Sequence, residues 1–300
     1  MFFPQMNPLV FKTCQLCDSD TTKFLYSISG IKNDPRDFNV VKCETCDLIY
    51  INPWYSEHES IELYQTSYYT DHVIDLSGKV RNFLDDRKGK VNDHRIEWGY
   101  LEKYKKGGRI LDFGSGPGFF LEALEGNWEK YAVDTSEFAI NNIQDPAVNK
   151  FKGTLFEAGF KDNFFDAIYI GHTLDRLTNL KETFTELKRI LNLDGVILIV
   201  TPNIGSLCAK VFRGKYRLLY SNHLVYFTPE TLMAFFARSG FKMVDIKYPY
   251  FGTSFFSFSG FIWGTGKVFL QVLFNFFRMP VNLVSPPYRG NIMSVVIAKS

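Results

Sequence analysis

The chain lacks any block of positive charge: 34 Lys and Arg are balanced by 32 Asp and Glu, for a formal net charge of +2 over 300 residues. Without a sustained basic run it cannot neutralise many phosphates at once, so nucleic acid is not an expected partner. It also lacks a clean apolar run of the roughly 20 residues that a membrane-spanning helix needs. Its most apolar stretch, between 249 and 291, is broken by glycines and polar side chains. The opening residues, Met1 to Gln5, have no positively charged lead into an apolar segment and no small-residue cleavage site. They do not read as a secretory signal, and a cytoplasmic location is the default expectation. No internal repeat is visible. What the length does allow is a sizeable core, in one large domain or two unequal ones.

Cysteine is scarce, yet four of the five fall in two Cys-x-x-Cys pairs, Cys14 with Cys17 and Cys43 with Cys46. Two such pairs separated by a loop of 25 residues can present four thiolates tetrahedrally, as in a closed structural Zn2+ site. The alternative is two disulfides or a redox dithiol, but in a reducing compartment such pairs more often hold metal. Cys208 stands alone and reads as a small buried hydrophobe. Residues 1–55 are therefore expected to form a small zinc-ribbon-like module. Asp47 to Ile51 would finish one of its strands, and Asn52-Pro53 would end it.

Residues 56–105 read as a polar, helical approach or lid. From Arg109 onward short apolar strands alternate with amphipathic helices, the pattern of an α/β fold with a mostly parallel sheet covered on both faces. Strands are expected at 109–113, 130–134, 148–152, 165–170, 195–201, 241–248 and 292–298. In the helix expected at 180–191, Leu180, Phe184, Leu187 and Leu191 share one face. The main domain would span 106–300, with an aromatic insertion at 249–291.

The chemistry starts at the strand 109–113, which runs into Gly114-Ser115-Gly116-Pro117-Gly118 and then a helix. A glycine turn there lets the backbone approach a ligand at the carboxyl end of the sheet. The third glycine of a dinucleotide site would stand where this chain has Phe119, which weakens pyrophosphate binding. The next strand ends at Asp134, placed to accept hydrogen bonds from ribose hydroxyls.

Over roughly residues 90–300 the chain resembles the class I S-adenosylmethionine-dependent methyltransferases, a Rossmann-like family. Leu111 to Gly118 looks like the family's first motif, whose acid, Asp112 here, and glycines surround the methionine part of the cofactor. Asp134 matches the acid that holds the ribose, and Leu191 to Asn203 matches the helix end, turn and fifth strand. The resemblance implies a seven-stranded sheet in the order 3-2-1-4-5-7-6, with the seventh strand antiparallel. His223 to Leu232, with Arg238 to Phe241, resembles a branch acting on small molecules and glycans, in which a four-cysteine N-terminal module is common. Many relatives carry a Glu-His pair after the fourth strand; this chain instead has Gly171-His172-Thr173-Leu174-Asp175-Arg176, which leaves a role borrowed from that pair open, since Asp175 with Arg176 could instead form a surface ion pair.

The expected reaction is methyl transfer from S-adenosylmethionine to a small molecule, with Asp112, Gly114, Ser115, Gly116, Gly118, Asp134 and His172 at the cofactor. An oxygen or nitrogen acceptor that must lose its proton would need a base, and His172 and His223 are the first candidates. There is no acid between Asp194 and Glu230, where Lys210, Arg213, Lys215 and Arg217 cluster, and none after Asp245. That bias points to an anionic acceptor, such as a sugar nucleotide or lipid-linked glycan. Residues 268–277 read as a helix stopped by Pro280, apolar nearly all round except for Lys267, Gln271, Asn275 and Arg278. Region 253–280 could serve as a lid or as a peripheral membrane contact. Two rival classes are an NAD-dependent oxidoreductase, disfavoured by Phe119, and a non-catalytic zinc-ribbon interaction protein on a degenerate fold, disfavoured by the intact turn from Asp112 to Gly118.

Overall fold

The two Cys-x-x-Cys turns are carried by a small antiparallel sheet made of β1 (Thr22–Ser29), β2 (Asp37–Cys43) and β3 (Ile49–Ile51). The computed structural model describes residues 9–31, 34–64, 68–69, 73–74, 80–81, 84–253, 256–279, 283–287 and 289–300. After β3 comes α1 (Glu57–Glu62), which starts on a capping box between Ser56 and Glu59. The approach segment is not helical throughout: β4 (Val73–Ile74) and β5 (Val80–Arg81) pair antiparallel before α2 (Arg87–Leu101). Valine and isoleucine at these positions favour extended backbone, a local signal that the overall polarity of 56–105 conceals.

The strands of the main sheet are β6 (Gly107–Phe113), β7 (Asn127–Asp134), β8 (Asn149–Lys152), β9 (Phe165–Gly171) and β10 (Leu191–Pro202), and, after β11 (Val225–Tyr226), β12 (Phe241–Lys247) and β13 (Ile292–Lys299). They hydrogen-bond in the order β12-β13-β10-β9-β6-β7-β8. β13 runs antiparallel to both of its neighbours, and β6 to β10 pair parallel. This is the Rossmann-like order that the resemblance implied, and all seven strands fall where the hydrophobic pattern placed them. One boundary moves: the helix expected to reach 191 ends at Ile190, and Leu191 already pairs with Phe165 in β10.

Successive strand residues feed opposite faces, as a pleated sheet requires. Leu111, Ile168, Ile197 and Ile199 join one core with Phe184 and Leu187 of α5 (Leu180–Ile190). Ile110, Ala167, Leu198 and Val200 join the other, with Trp98 of α2 and Phe120 of α3 (Phe119–Ala123). α4 (Glu137–Asn141) follows β7, while α6 (Leu207–Phe212) and α7 (Pro229–Arg238) flank β11. Beyond β12 lies α8 (Phe258–Phe276), longer at its start than the expected 268–277; Pro280, its expected stop, lies outside the described residues. Among the described residues no helix is long and apolar enough to cross a membrane.

The cysteine module is continuous with the main domain. β11 supplies the fourth strand of its sheet, pairing Val225 with Tyr50. Cys14, Cys43 and Tyr50 share one core with Phe184 and Phe235. Arg238 of α7 donates to the Leu16 carbonyl at 2.8 Å. The segment just before β11 is thereby held from the module side: Tyr55 Oη and Ser221 Oγ are 2.9 Å apart, and the Ile51 amide donates to the Leu224 carbonyl.

Candidate functional site

A cavity of about 790 Å3 opens at the carboxyl ends of β6, β7, β9 and β10, inside the roughly 300–1,000 Å3 range of small-molecule sites. One end is built by the glycine turn. Gly114, Gly116 and Gly118 all take left-handed backbone, with φ of 74°, 52° and 76°. At Gly114 no other residue fits, because a Cβ would lie 2.2 Å from Thr173 Oγ1. The turn is tied to the next strand: the Gly114 and Ser115 amides donate to the Val133 carbonyl, and the Gly116 amide donates to Asp134 Oδ2 at 2.9 Å. Asp134 Oδ1 accepts from the Ser136 amide at 2.8 Å. Burial pushes the Asp134 pKa up against those two amide bonds. Asp112 is buried in the cavity wall, and its Oδ2 has no hydrogen-bond partner among the described residues. Burial, eased by His94 but reinforced by Asp134 and Glu97, pushes its pKa up to about 8.

The wall beside Asp112 is polar in a way the sequence reading did not foresee. His94 Nδ1 lies 2.7 Å from Glu97 Oε2, which also accepts from the Tyr169 hydroxyl, and Tyr169 stacks on Phe120 at 3.6 Å. Burial works against charge on both members, but each holds the other ionised: the His94 pKa is raised and that of Glu97 lowered. A sequence signal existed. Val91, Trp98 and Leu101 form the buried stripe of α2, and His94 falls into the same three-and-four spacing, where an apolar residue is the norm.

The far end of the cavity is aromatic and cationic. His172 follows β9 with a φ of 53°, uncommon for a residue with a side chain, and its ring is open to the cavity. Crowding by the surrounding protein, with Glu97 and Asp175 opposing, lowers its pKa. Asp175 and Arg176 are not a surface ion pair: Asp175 is 1% exposed, because the turn after β9 packs it against Thr201 near the carboxyl end of β10. Its Oδ2 lies 3.3 Å from His223 Nδ1 and 3.9 Å from Arg176 Nε. Arg176 also faces His223 Nε2 at 3.5 Å and lies over the rings of Tyr64 and Tyr68. His223 is buried, and that burial, opposed by Asp175 and aided by Arg176, brings its pKa down to about 4. Of the four cations between Asp194 and Glu230, Arg217 lines the cavity; Lys210, Arg213 and Lys215 are exposed and outside its lining. Arg176 was missed as a cavity residue because its neighbour Asp175 suggested simple neutralisation at the surface.

A family model described as a methyltransferase domain matches residues 86–246, just over half of the chain. The chain belongs to the methyltransferase-domain family. Two relatives, the demethylmenaquinone methyltransferases of Roseiflexus sp. (strain RS-1) and Roseiflexus castenholzii, are 28% and 30% identical to it over 128 residues, 40% of this chain. The chain spans about half the length of these curated relatives. A chain from the complex between the Haloferax volcanii Trm112 methyltransferase activator and a methyltransferase superposes with a TM-score of 0.53 at 13% identity, covering 72% of this chain and 92% of that one. That likeness shows the fold. The matched segment contains the glycine turn, Asp134, Asp112 and Glu97 of the cavity wall, and His223.

Outside the matched segment the chain carries its cysteine cluster. The four sulfurs of Cys14, Cys17, Cys43 and Cys46 lie within 4.8 Å of one another, with Cys14 to Cys46 at 3.4 Å and Cys17 to Cys43 at 3.5 Å. Metal–sulfur bonds of 2.3 Å at tetrahedral angles put sulfurs about 3.8 Å apart, so the cluster suits one ion. All four are free thiols rather than disulfides, and Cys208 is the buried hydrophobe expected, 1% exposed.

Proposed function

We propose that this methyltransferase transfers a methyl group from S-adenosylmethionine to a small anionic acceptor, and that the four cysteines hold a structural Zn2+. The observation that carries the donor half is the buried, unpartnered Asp112 Oδ2 facing the same cavity as the Gly114–Gly118 turn and Asp134. The cofactor's ammonium would meet Asp112, and its ribose hydroxyls would meet the remaining lone pairs of Asp134. Bound S-adenosylmethionine supplies a methyl on a sulfonium, already activated toward a nucleophile, so the protein's work is alignment and exclusion of water.

The acceptor half rests on Arg176, Arg217 and the tyrosines around them. Two guanidiniums in one cavity suit a phosphate or carboxylate, and a sugar nucleotide or lipid-linked glycan carries such a group. His223 takes the acceptor proton at Nε2, and Asp175 behind Nδ1 stabilises the imidazolium that results. Arg176 suppresses His223 in the free protein; an anion that draws the guanidinium toward itself uncovers the Nε2 lone pair. The base thus becomes available when the acceptor is present. His172, nearer the glycine turn, is assigned to the cofactor side.

The Asp112 assignment has a measurable proton balance. With its pKa pushed up to about 8, Asp112 holds its proton at pH 7 in the free protein. A bound ammonium favours the carboxylate, so cofactor binding lowers that pKa and releases close to one proton. Calorimetric titrations with S-adenosylmethionine in phosphate and in Tris should differ in enthalpy accordingly, and Asp112→Asn should abolish the difference. Identical enthalpies in the two buffers for the unaltered protein would refute this role of Asp112.

The zinc assignment predicts one Zn2+ per chain by elemental analysis. Because the module shares its core with the main sheet, losing even ~5 kcal/mol of metal-linked stability should lower Tm by ~10 °C. Stripping the metal should also loosen the β3–β11 pairing beside His223, raising KM for the acceptor more than Kd for the cofactor. A metal-free preparation with unchanged Tm and KM would count against both statements.

A further inference from the structure

The helix α8 is inside out. Its buried stripe is Gly264, Val268 and Gln271, spaced three or four residues apart; Val268 packs with Cys208 and Phe212 of α6, and Asn275, itself exposed, donates from Nδ2 to the Val211 carbonyl at 2.9 Å. The outward face carries the large apolar side chains: Phe258 is 73% exposed, Trp263 63%, Phe269 63% and Phe276 78%, with Ile262, Leu270 and Leu273 among them. An apolar face of this extent on a water-facing helix marks a contact surface.

Charge identifies the partner. The whole chain after Asp245 is free of acids, and so is the stretch that contains α6, so the two packed helices present no negative side chain at all. Lys267 borders the outward face with its ammonium 4.5 Å from the Trp263 ring centroid, and Lys210 is exposed on α6. A second copy of this chain would bring basic edges together with no acid on either side, which disfavours self-association. An aromatic face with a basic edge instead complements the boundary between acyl chains and anionic headgroups.

We propose that α8 docks flat on an anionic phospholipid surface, with Phe258, Ile262, Phe269, Leu273 and Phe276 in the acyl boundary and Lys267 at the headgroups. Docking needs no cofactor. Its consequence, that the acceptor reaches the cavity from the membrane surface, rests on the methyl-transfer reading above. The test is co-sedimentation of the full chain with phosphatidylglycerol–phosphatidylcholine vesicles, alongside the triple variant Ile262→Ser, Phe269→Ser, Leu273→Ser. These side chains point outward, so Tm and S-adenosylmethionine affinity serve as controls for folding and for the donor site. We expect the unaltered chain to sediment with the anionic vesicles, at least tenfold less with phosphatidylcholine alone, and the folded variant to lose at least tenfold in binding. Three results would overturn the proposal: no sedimentation of the unaltered chain, equal sedimentation of the variant, or a dimer by light scattering that the variant dissolves while neither protein binds vesicles. None of these depends on whether the chain binds S-adenosylmethionine, so docking and donor can fail separately.

Discussion

Replacing Asp134 with alanine is expected to weaken S-adenosylmethionine binding by at least about 100-fold. A hydrogen bond to an ionised acceptor contributes ~1.5–3 kcal/mol, and two ribose hydroxyls meeting this carboxylate would contribute ~3–6 kcal/mol, or about two to four orders of magnitude in Kd. The loss is compounded in the turn itself. Gly116 and Ser136 each donate an amide to Asp134, so the alanine variant also releases the glycine turn that shapes the cofactor end. Asp134→Asn keeps one acceptor oxygen and should fall between the two. Calorimetry measures all three, with Tm as the check on folding. A folded alanine variant that bound within about threefold of the unaltered protein would remove Asp134 from the site.

Replacing His223 with alanine should have the second large effect, on turnover rather than on the donor. General-base catalysis typically contributes 10²–10⁴-fold, so kcat is expected to fall by about that factor while Kd for S-adenosylmethionine stays put. The pH profile carries the signature. His223 is neutral above about pH 4 in the free protein, so the acid limb of kcat/KM lies well below the ordinary histidine range near 6.5. Burial is the main cause, and the nearby charges set the sign of each further change. Arg176→Met removes a cation and should move the limb upward; Asp175→Asn removes the anion that favours protonation and should move it downward. If His172→Ala took the kcat loss instead, the base would be His172 and the assignment of His223 would be wrong.

The centre of the sheet was legible because β9, β10 and β13 are apolar runs buried on both faces, and such runs survive any detail of packing. The glycine turn and Asp134 were legible for a related reason: close approach admits only glycine, and the acid sits at a strand end. The other half of the site was not. Asp175 and Arg176 look like mutual neutralisation in a string of letters; only the turn after β9 buries the acid against Thr201 and turns the guanidinium toward Tyr64, Tyr68 and His223. His94 and Glu97 lie on a helix whose mean polarity masks them, although the interruption of its apolar stripe was there to be read. The partnership of β11 with the cysteine module is a pairing between residues 50 and 225, and no local pattern encodes contacts so distant in sequence. For α8 the pattern showed a polar stripe, but not that its Gln271 is buried while Phe258, Phe269 and Phe276 are exposed.

These features converge on one question, whether a methyl group leaves S-adenosylmethionine through this cavity for a small molecule. The direct measurement incubates the purified, zinc-loaded protein with methyl-labelled S-adenosylmethionine and a cell extract separated into small molecules, lipids, protein and nucleic acid. The account predicts label in an anionic small molecule or lipid, with none transferred by the Asp134→Ala protein. Label confined to protein or nucleic acid, or a protein that binds NAD and ignores S-adenosylmethionine, would contradict it.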